Sequence, residues 1–269
     1  MAQRSIREAR GLFGPESVIW RVNREAVVAL AGTCAILMQF AHPMVAAGVR
    51  DHSRFETDPV GRLRRTFDLT LTWVFGSRDQ ALEAARVVNR RHDTVNGPGY
   101  SAKDPAMLLW VQATLVYSAI RAYRAFVARL SDEDANRYYE DTKEIGVLLG
   151  LSRSMYPSDF EALNGYIEAM IDAGEVRVSA DALRMGRIVQ QPHFPGVPRM
   201  AFTPLRTITA GLLPPRLREQ YDLAWRRPDR LLFKSCQAIL PGFLRITPAP
   251  IRFLPPARQA YRRLRSQPA

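Results

Sequence analysis

Cysteine is nearly absent: Cys34 and Cys236 are the only two in 269 residues. A disulfide framework needs more, as does a cysteine zinc site, so a reduced, intracellular setting is expected. Histidine is almost as scarce. None of His42, His52, His92 and His193 stands three or four residues from another, the spacing that sets two ligands on one helical face. No Glu precedes a His by three positions, which removes the di-iron Glu-x-x-His pattern, and no HExxH occurs, which removes a zincin. GxGxxG, GxxxxGK[ST] and G-x-S-x-G are missing too, and with them the standard nucleotide-binding and hydrolase signatures.

Long apolar runs are also lacking. Ala26–Ala41 is shorter than the roughly 20 residues a membrane span needs, and Gln39 interrupts it. Pro105–Leu130 is longer but carries Gln112, Arg121, Arg124 and Arg129. Both read as helices buried in a protein or resting on a membrane, rather than as spans. The first twenty residues hold charges without an apolar stretch of the usual length, so no signal peptide is expected.

What is present is an apolar fraction of 47% and a net charge of +12. The first is too high for disorder. The second is uneven. Residues 196–269 hold 14 Lys+Arg against 3 Asp+Glu, and 11 of the 19 prolines, leaving 24 basic and 23 acidic residues for 1–195. Basicity confined to a proline-punctuated tail, with no recognition motif beside it, argues against a nucleic-acid partner.

Capping signals divide the region up to about Arg187 into helices. Ser17 precedes Val18, and Asp58-Pro59 and Asp104-Pro105 each pair an N-cap acid with proline at the first helical position. Ser131–Asp134 and Ser158–Glu161 read as capping boxes, while Gly76, Gly97 and Gly150 mark helix ends. Alternating β-branched runs are missing. The fold class is therefore all-α: a single domain over 14–269, with a helical core to about 190 and basic straps over 191–269. Short helices are expected in the straps, one of them starting at Pro214.

Two places can carry chemistry. On a helix from about Asp79 to Val95, the residues Ala81, Ala85, Val88, His92 and Val95 form one stripe, its core face. An inward histidine on a rigid helix can ligate a metal, or it can be a core histidine bonded to a backbone carbonyl. On the helix begun by Asp58-Pro59, Arg62 and Thr66 share a face continued by Leu69 and Trp73. Such a face suits an anionic or polar ligand edge, the alternative being a solvated basic helix start. His42, before Pro43, and His52 are read as structural, as is His193 between prolines.

The string QFAHPMVAAGVRDHSRFETDPVGRLRRT, followed by VFG, RRHDTVNG, Tyr100, DPAMLLWVQATL and YYEDTKEIGVLLG, resembles the MpaB/latex-clearing-protein oxygenase superfamily over nearly the whole chain. That resemblance implies a globin-like helical core that binds haem b and uses O2 to cleave carbon–carbon double bonds of isoprenoid chains. It implies His92 as the axial iron ligand, with Arg62 and Thr66 as polar residues of the haem pocket. Arg65 falls where those enzymes place an iron-binding lysine. Arginine stays protonated and is a very poor ligand, so a propionate or bound oxygen is its expected partner instead. No carboxylate base is found near Ala46. Thr114, on the inward side of its helix, is a further candidate pocket residue.

The expected function is a haem b oxygenase acting on a hydrophobic, isoprenoid-like molecule, cytoplasmic or peripheral to a membrane. The alternative is a membrane-surface protein without catalysis, whose basic tail touches anionic lipid and whose core carries a lipid or haem.

Overall fold

A computed structural model describes residues 11–53, 55–192 and 196–266 of the chain; His193 lies outside them. Fourteen α-helices and one minimal hairpin make up the regular structure among these residues, apart from short 3-10 turns. In chain order the helices of the first part are α1 (Val18–Asn23), α2 (Ala31–Ala41), α3 (Pro43–His52), α4 (Pro59–Phe75) and α5 (Arg78–Asp93). The hairpin β1 (Asn96–Gly97) and β2 (Tyr100–Ser101) precedes α6 (Pro105–Phe126), α7 (Asp132–Leu148), α8 (Phe160–Asp172) and α9 (Ala180–Gln190). The C-terminal part holds α10 (Thr203–Leu212), α11 (Pro215–Gln220), α12 (Arg227–Ile246), α13 (Ala249–Arg252) and α14 (Pro255–Arg265). The all-α expectation holds.

Six of the fourteen helices among the described residues start on a side-chain cap. Asp58 accepts from the Gly61 amide at 2.9 Å and Asp104 from Ala106 at 2.8 Å, each offsetting an amide that the helix leaves unpaired. Ser131 does the same for Asp134. Three starts differ from expectation. The α8 cap is Asp159, accepting from Ala162 at 2.8 Å, while Ser158 only donates to Asp159. Ser17 stands before α1 but gives its hydroxyl to the Gly14 carbonyl rather than capping. The run from Ala26 opens with a 3-10 stretch, Ala26–Leu30, before α2 begins. Glu25, at its head, is fully buried in an ion pair and caps nothing.

The core is built on α2 and α6, which pack against each other more extensively than any other pair; α9 and α10 cover α2. Trp20 and Trp110 are wholly buried, each with its indole N–H donated to a carbonyl, Val74 at 2.7 Å and Met38 at 3.1 Å. A buried indole costs stability unless that N–H is paired, so these two bonds let large aromatic surfaces count fully toward folding. No single helix among the described residues is long and apolar enough to cross a membrane. By length and composition alone only the pair 26–41 and 43–52 would pass together, and it is bent by 101° at His42-Pro43, where proline removes an amide.

The basic C-terminal part shares the same core: Leu217, Tyr221, Phe233, Leu244, Ala257 and Ala260 all join it. Tyr221 donates to the Leu37 carbonyl at 2.7 Å, and the Arg252 guanidinium grips Glu25 through two bonds of 2.7 and 2.8 Å. Arg263 donates to the Phe75 carbonyl at 2.8 Å. Contrary to the expectation set by the prolines, these helices are not all short. α12 runs 20 residues through Pro241. Proline there leaves the Gln237 carbonyl without its amide, but Gln237 is exposed to water, and burial of Phe233 and Leu244 offsets the loss.

Candidate functional site

Helices α4 and α5 form an antiparallel pair turned at Gly76-Ser77. Ser77 and Gln80 close a reciprocal capping box that starts α5 at Arg78. Trp73, Ala81 and Ala84 hold the two helices together, with Leu69 and Val88 packed alongside. Arg62 lies about as far before the turn as His92 lies after it. At roughly 1.5 Å per residue, both therefore reach the same end of the pair.

That end is fixed by the segments around it. His52 Nε2 meets the Asn96 carbonyl at 2.9 Å, Arg91 donates to the His52 carbonyl at 3.2 Å, and Tyr100 donates to Asp51 at 2.7 Å. The Asp51-His52-Ser53 segment thus locks the end of α3 to the hairpin that follows His92. The partner of His52 is that hairpin and not the loop before Asp58. Gly61 is required by the cap itself: a Cβ there would strike the Asp58 carboxylate.

His92 sits half-buried near the end of α5, and its Nδ1 is buried without any hydrogen-bond partner among the described residues. The carbonyl-bonded core histidine is therefore not what the fold contains. Burial, and next the Lys103 ammonium, hold its pKa below the ordinary 6.5, which keeps the imidazole neutral near pH 7. Arg62 is half-buried too. Its guanidinium lies 5.9 Å from the Phe55 ring centre and faces no carboxylate among the described residues; burial and the nearby Arg65 charge lower its pKa. Phe55, 1% exposed, packs edge-on against Phe40 of α2 at 5.1 Å.

The other candidates sit differently. Arg65 is exposed and pairs with the cap carboxylate of Asp58 at 3.1 Å. Thr66 is exposed, its hydroxyl donated to the Arg62 carbonyl one turn back at 3.1 Å. Thr114 is fully buried between α2 and α6, away from the α4–α5 pair; it donates to Val111 at 2.7 Å and accepts from Gln39 at 3.2 Å. His42, at the α2–α3 corner, has a buried, unpartnered Nδ1 and lies 6.3 Å from the Trp110 ring. Sequence reasoning passed over Phe55 and Trp110. Phe55 stands inside the DHSRF string, but nothing local in that string says its ring will meet Arg62.

No three His, Cys, Asp or Glu side chains among the described residues are grouped to hold a metal ion. His92 thus has no such cluster around it among the described residues, and a haem needs only one or two axial ligands from the protein. A neutral imidazole with a buried, unpartnered Nδ1 at the same end of the helix pair as an unpaired cation fits such a group: one ligand for iron, one partner for a carboxylate. Two surface clefts, of about 380 and 290 Å³, are lined by Glu133, Glu140 and Asp141 and by Arg206, Arg226 and Asp229 respectively, and neither touches His92 or Arg62.

Residues 20–241 match the family described as ER-bound oxygenase mpaB/B′/rubber oxygenase, catalytic domain. An uncharacterized protein of Mycobacterium tuberculosis and one of Mycobacterium bovis are each 29% identical over 224 residues, covering 76% of this chain and 84% of theirs. No solved structure matches.

Proposed function

This chain belongs to the mpaB/rubber oxygenase catalytic-domain family, and on that premise we propose that it is a haem b-dependent oxygenase that uses O2 on a hydrophobic, isoprenoid-like substrate. The observation that carries the reading is the buried, unpartnered Nδ1 of His92 at the same end of the α4–α5 pair as the unpaired guanidinium of Arg62.

When bound, a haem supplies the activation of O2 that oxidative cleavage of a carbon–carbon double bond requires. His92 offers a lone pair for its iron, since burial keeps the imidazole neutral at pH 7. Arg62 remains protonated despite its lowered pKa and binds a carboxylate edge, with the Phe55 ring fixing the guanidinium plane. Arg65 is drawn toward Asp58 and steadies the start of α4; as a permanent cation it does not compete for iron. The Thr66 hydroxyl spends its proton on the Arg62 carbonyl and presents its free lone pairs outward, where they accept from a polar edge. The apolar side chains of α2 and α6, among them Met38, Phe40 and Leu109, are the surfaces a hydrophobic chain would lie against, with the Thr114–Gln39 hydrogen bond among them.

Absorption spectroscopy of protein made with haem supplied tests the reading. A Soret band is expected, and His92→Ala should abolish it while Thr114→Val keeps it. Protein that stays colourless after reconstitution with haemin overturns the proposal. For the loaded protein, O2 consumption on adding a prenyl-chain substrate separates an oxygenase from a haem carrier.

A further inference from the structure

Helix α12 turns its Phe233 and Leu244 side chains into the core and leaves a wide arc facing water. At about 100° per residue, Leu232, Ile239, Phe243 and Ile246 fall on one edge of that arc. They are 37%, 65%, 56% and 80% exposed, a concentration of large apolar surface well beyond scattered single residues. On the other edge stand Arg227, Arg230, Lys234 and Arg245, all exposed and none with an acidic partner among the described residues. Between the edges lie Leu231, Ser235, Ala238 and Gly242, so no charge interrupts the arc. From Arg226 to Ser266 the chain has ten basic residues and a single acid, Asp229, which is spent on the Arg226 amide as a cap.

We propose that α12 lies flat on an anionic lipid surface. Its Leu232–Ile239–Phe243–Ile246 edge enters the boundary between headgroups and acyl chains, and its four cations meet lipid phosphates and carboxylates. Charge complementarity selects this occupant. A second copy of the chain would bring the same four cations against one another, and a nucleic acid would leave the apolar edge exposed to water. A helix with a basic flank and an apolar edge, held from behind by its own core, is the in-plane arrangement such a surface binds. The inference stands apart from haem, since none of these residues belongs to the α4–α5 site.

Flotation of the full chain with phosphatidylcholine vesicles containing about one-third phosphatidylserine tests it, against vesicles of phosphatidylcholine alone. Binding to the anionic vesicles should be at least about ten-fold stronger and should weaken with salt. Arg227→Gln/Arg230→Gln/Lys234→Gln and Ile239→Glu/Phe243→Glu should each lower it by about ten-fold, at melting temperatures close to the parent because all five positions face water. A Phe243→Trp chain gives a second readout: its added emission should shift to the blue with anionic vesicles only. Equal binding to both vesicles, no binding, an added emission that anionic vesicles leave unshifted, or a lipid-free dimer that Ile239→Glu/Phe243→Glu dissolves would each overturn the proposal.

Discussion

Among the described residues, the near-neutral region up to residue 195 and the basic region after it differ in which polar groups they leave alone: imidazoles in the first, only guanidinium nitrogens in the second. In the first, two imidazole nitrogens are buried without partners, at His42 and His92, and a half-buried guanidinium at Arg62 lacks a carboxylate. In the second, Arg252 and Arg263 reach inward and are tied to Glu25 and to the Phe75 carbonyl, though Nε of Arg258 and of Arg263 is also buried without a partner. An unpaired buried polar group costs free energy, so a fold keeps one where it serves something besides folding. The contrast sets Arg252, whose charge holds the molecule together, against His92 and Arg62, the groups that the proposed haem site would use.

The sharpest way to break that contrast is at its two extremes. His92→Ala should remove the Soret band entirely yet cost the haem-free protein under about 1 kcal/mol in urea denaturation, because no hydrogen bond is lost. Arg252→Met should do the reverse. It leaves the fully buried Glu25 carboxylate with only the Arg24 guanidinium at 3.7 Å, and removing one hydrogen-bonded partner of a buried pair costs about 3–5 kcal/mol. Haem binding by the folded fraction should be unaffected. A His92→Ala chain that melts as early as Arg252→Met would erase the distinction between the two regions.

Smaller effects sharpen it. Arg62→Gln gives up only a cation–π contact with Phe55, worth about 0.5–1 kcal/mol, and relieves a burial penalty, so the haem-free protein should keep its stability within about 1 kcal/mol while haem titrations show weaker binding. His42 supplies a pH signature. Burial holds its pKa below 6.5, so the unfolded chain takes up the proton more readily; stability is full above that value and falls as pH drops through and below it. Comparing urea melts at about pH 5 and about pH 7.5 should show that slope, and His42→Gln should flatten part of it. Thr114→Val leaves the Gln39 amide without its acceptor and should cost about 1 kcal/mol, without touching the Soret band.

Local chemistry announced many helix ends, because an aspartate before proline, or glycine after an apolar run, acts within one turn; Gly97 is an exception, lying in β1 beyond the end of α5 at Asp93. Asp58, Asp104 and Ser131 cap where their spacing says they should. Asp159 displaced Ser158 because two adjacent residues offered the same acceptor, and only the backbone path chooses between them. At the candidate site, the inward direction of His92 was legible from the 3.6-residue stripe. The outward turn of Thr66 and the Asp58 partner of Arg65 were not, since helical spacing places residues on a face without saying where that face leaves the core.

By itself the sequence determined the all-α class, the oxygenase family, the uneven charge and the absence of a metal-ligand cluster at helical spacing; each depends on residue identity and short-range order. Only the tertiary structure decided which polar groups stand alone. Whether His92 meets a carbonyl, whether Glu25 finds Arg252 227 positions away, and whether the apolar edge of α12 is covered are settled by which helices pack together. Such pairings join residues distant in the chain, and satisfaction of a buried group belongs to the space around it rather than to its neighbours in sequence.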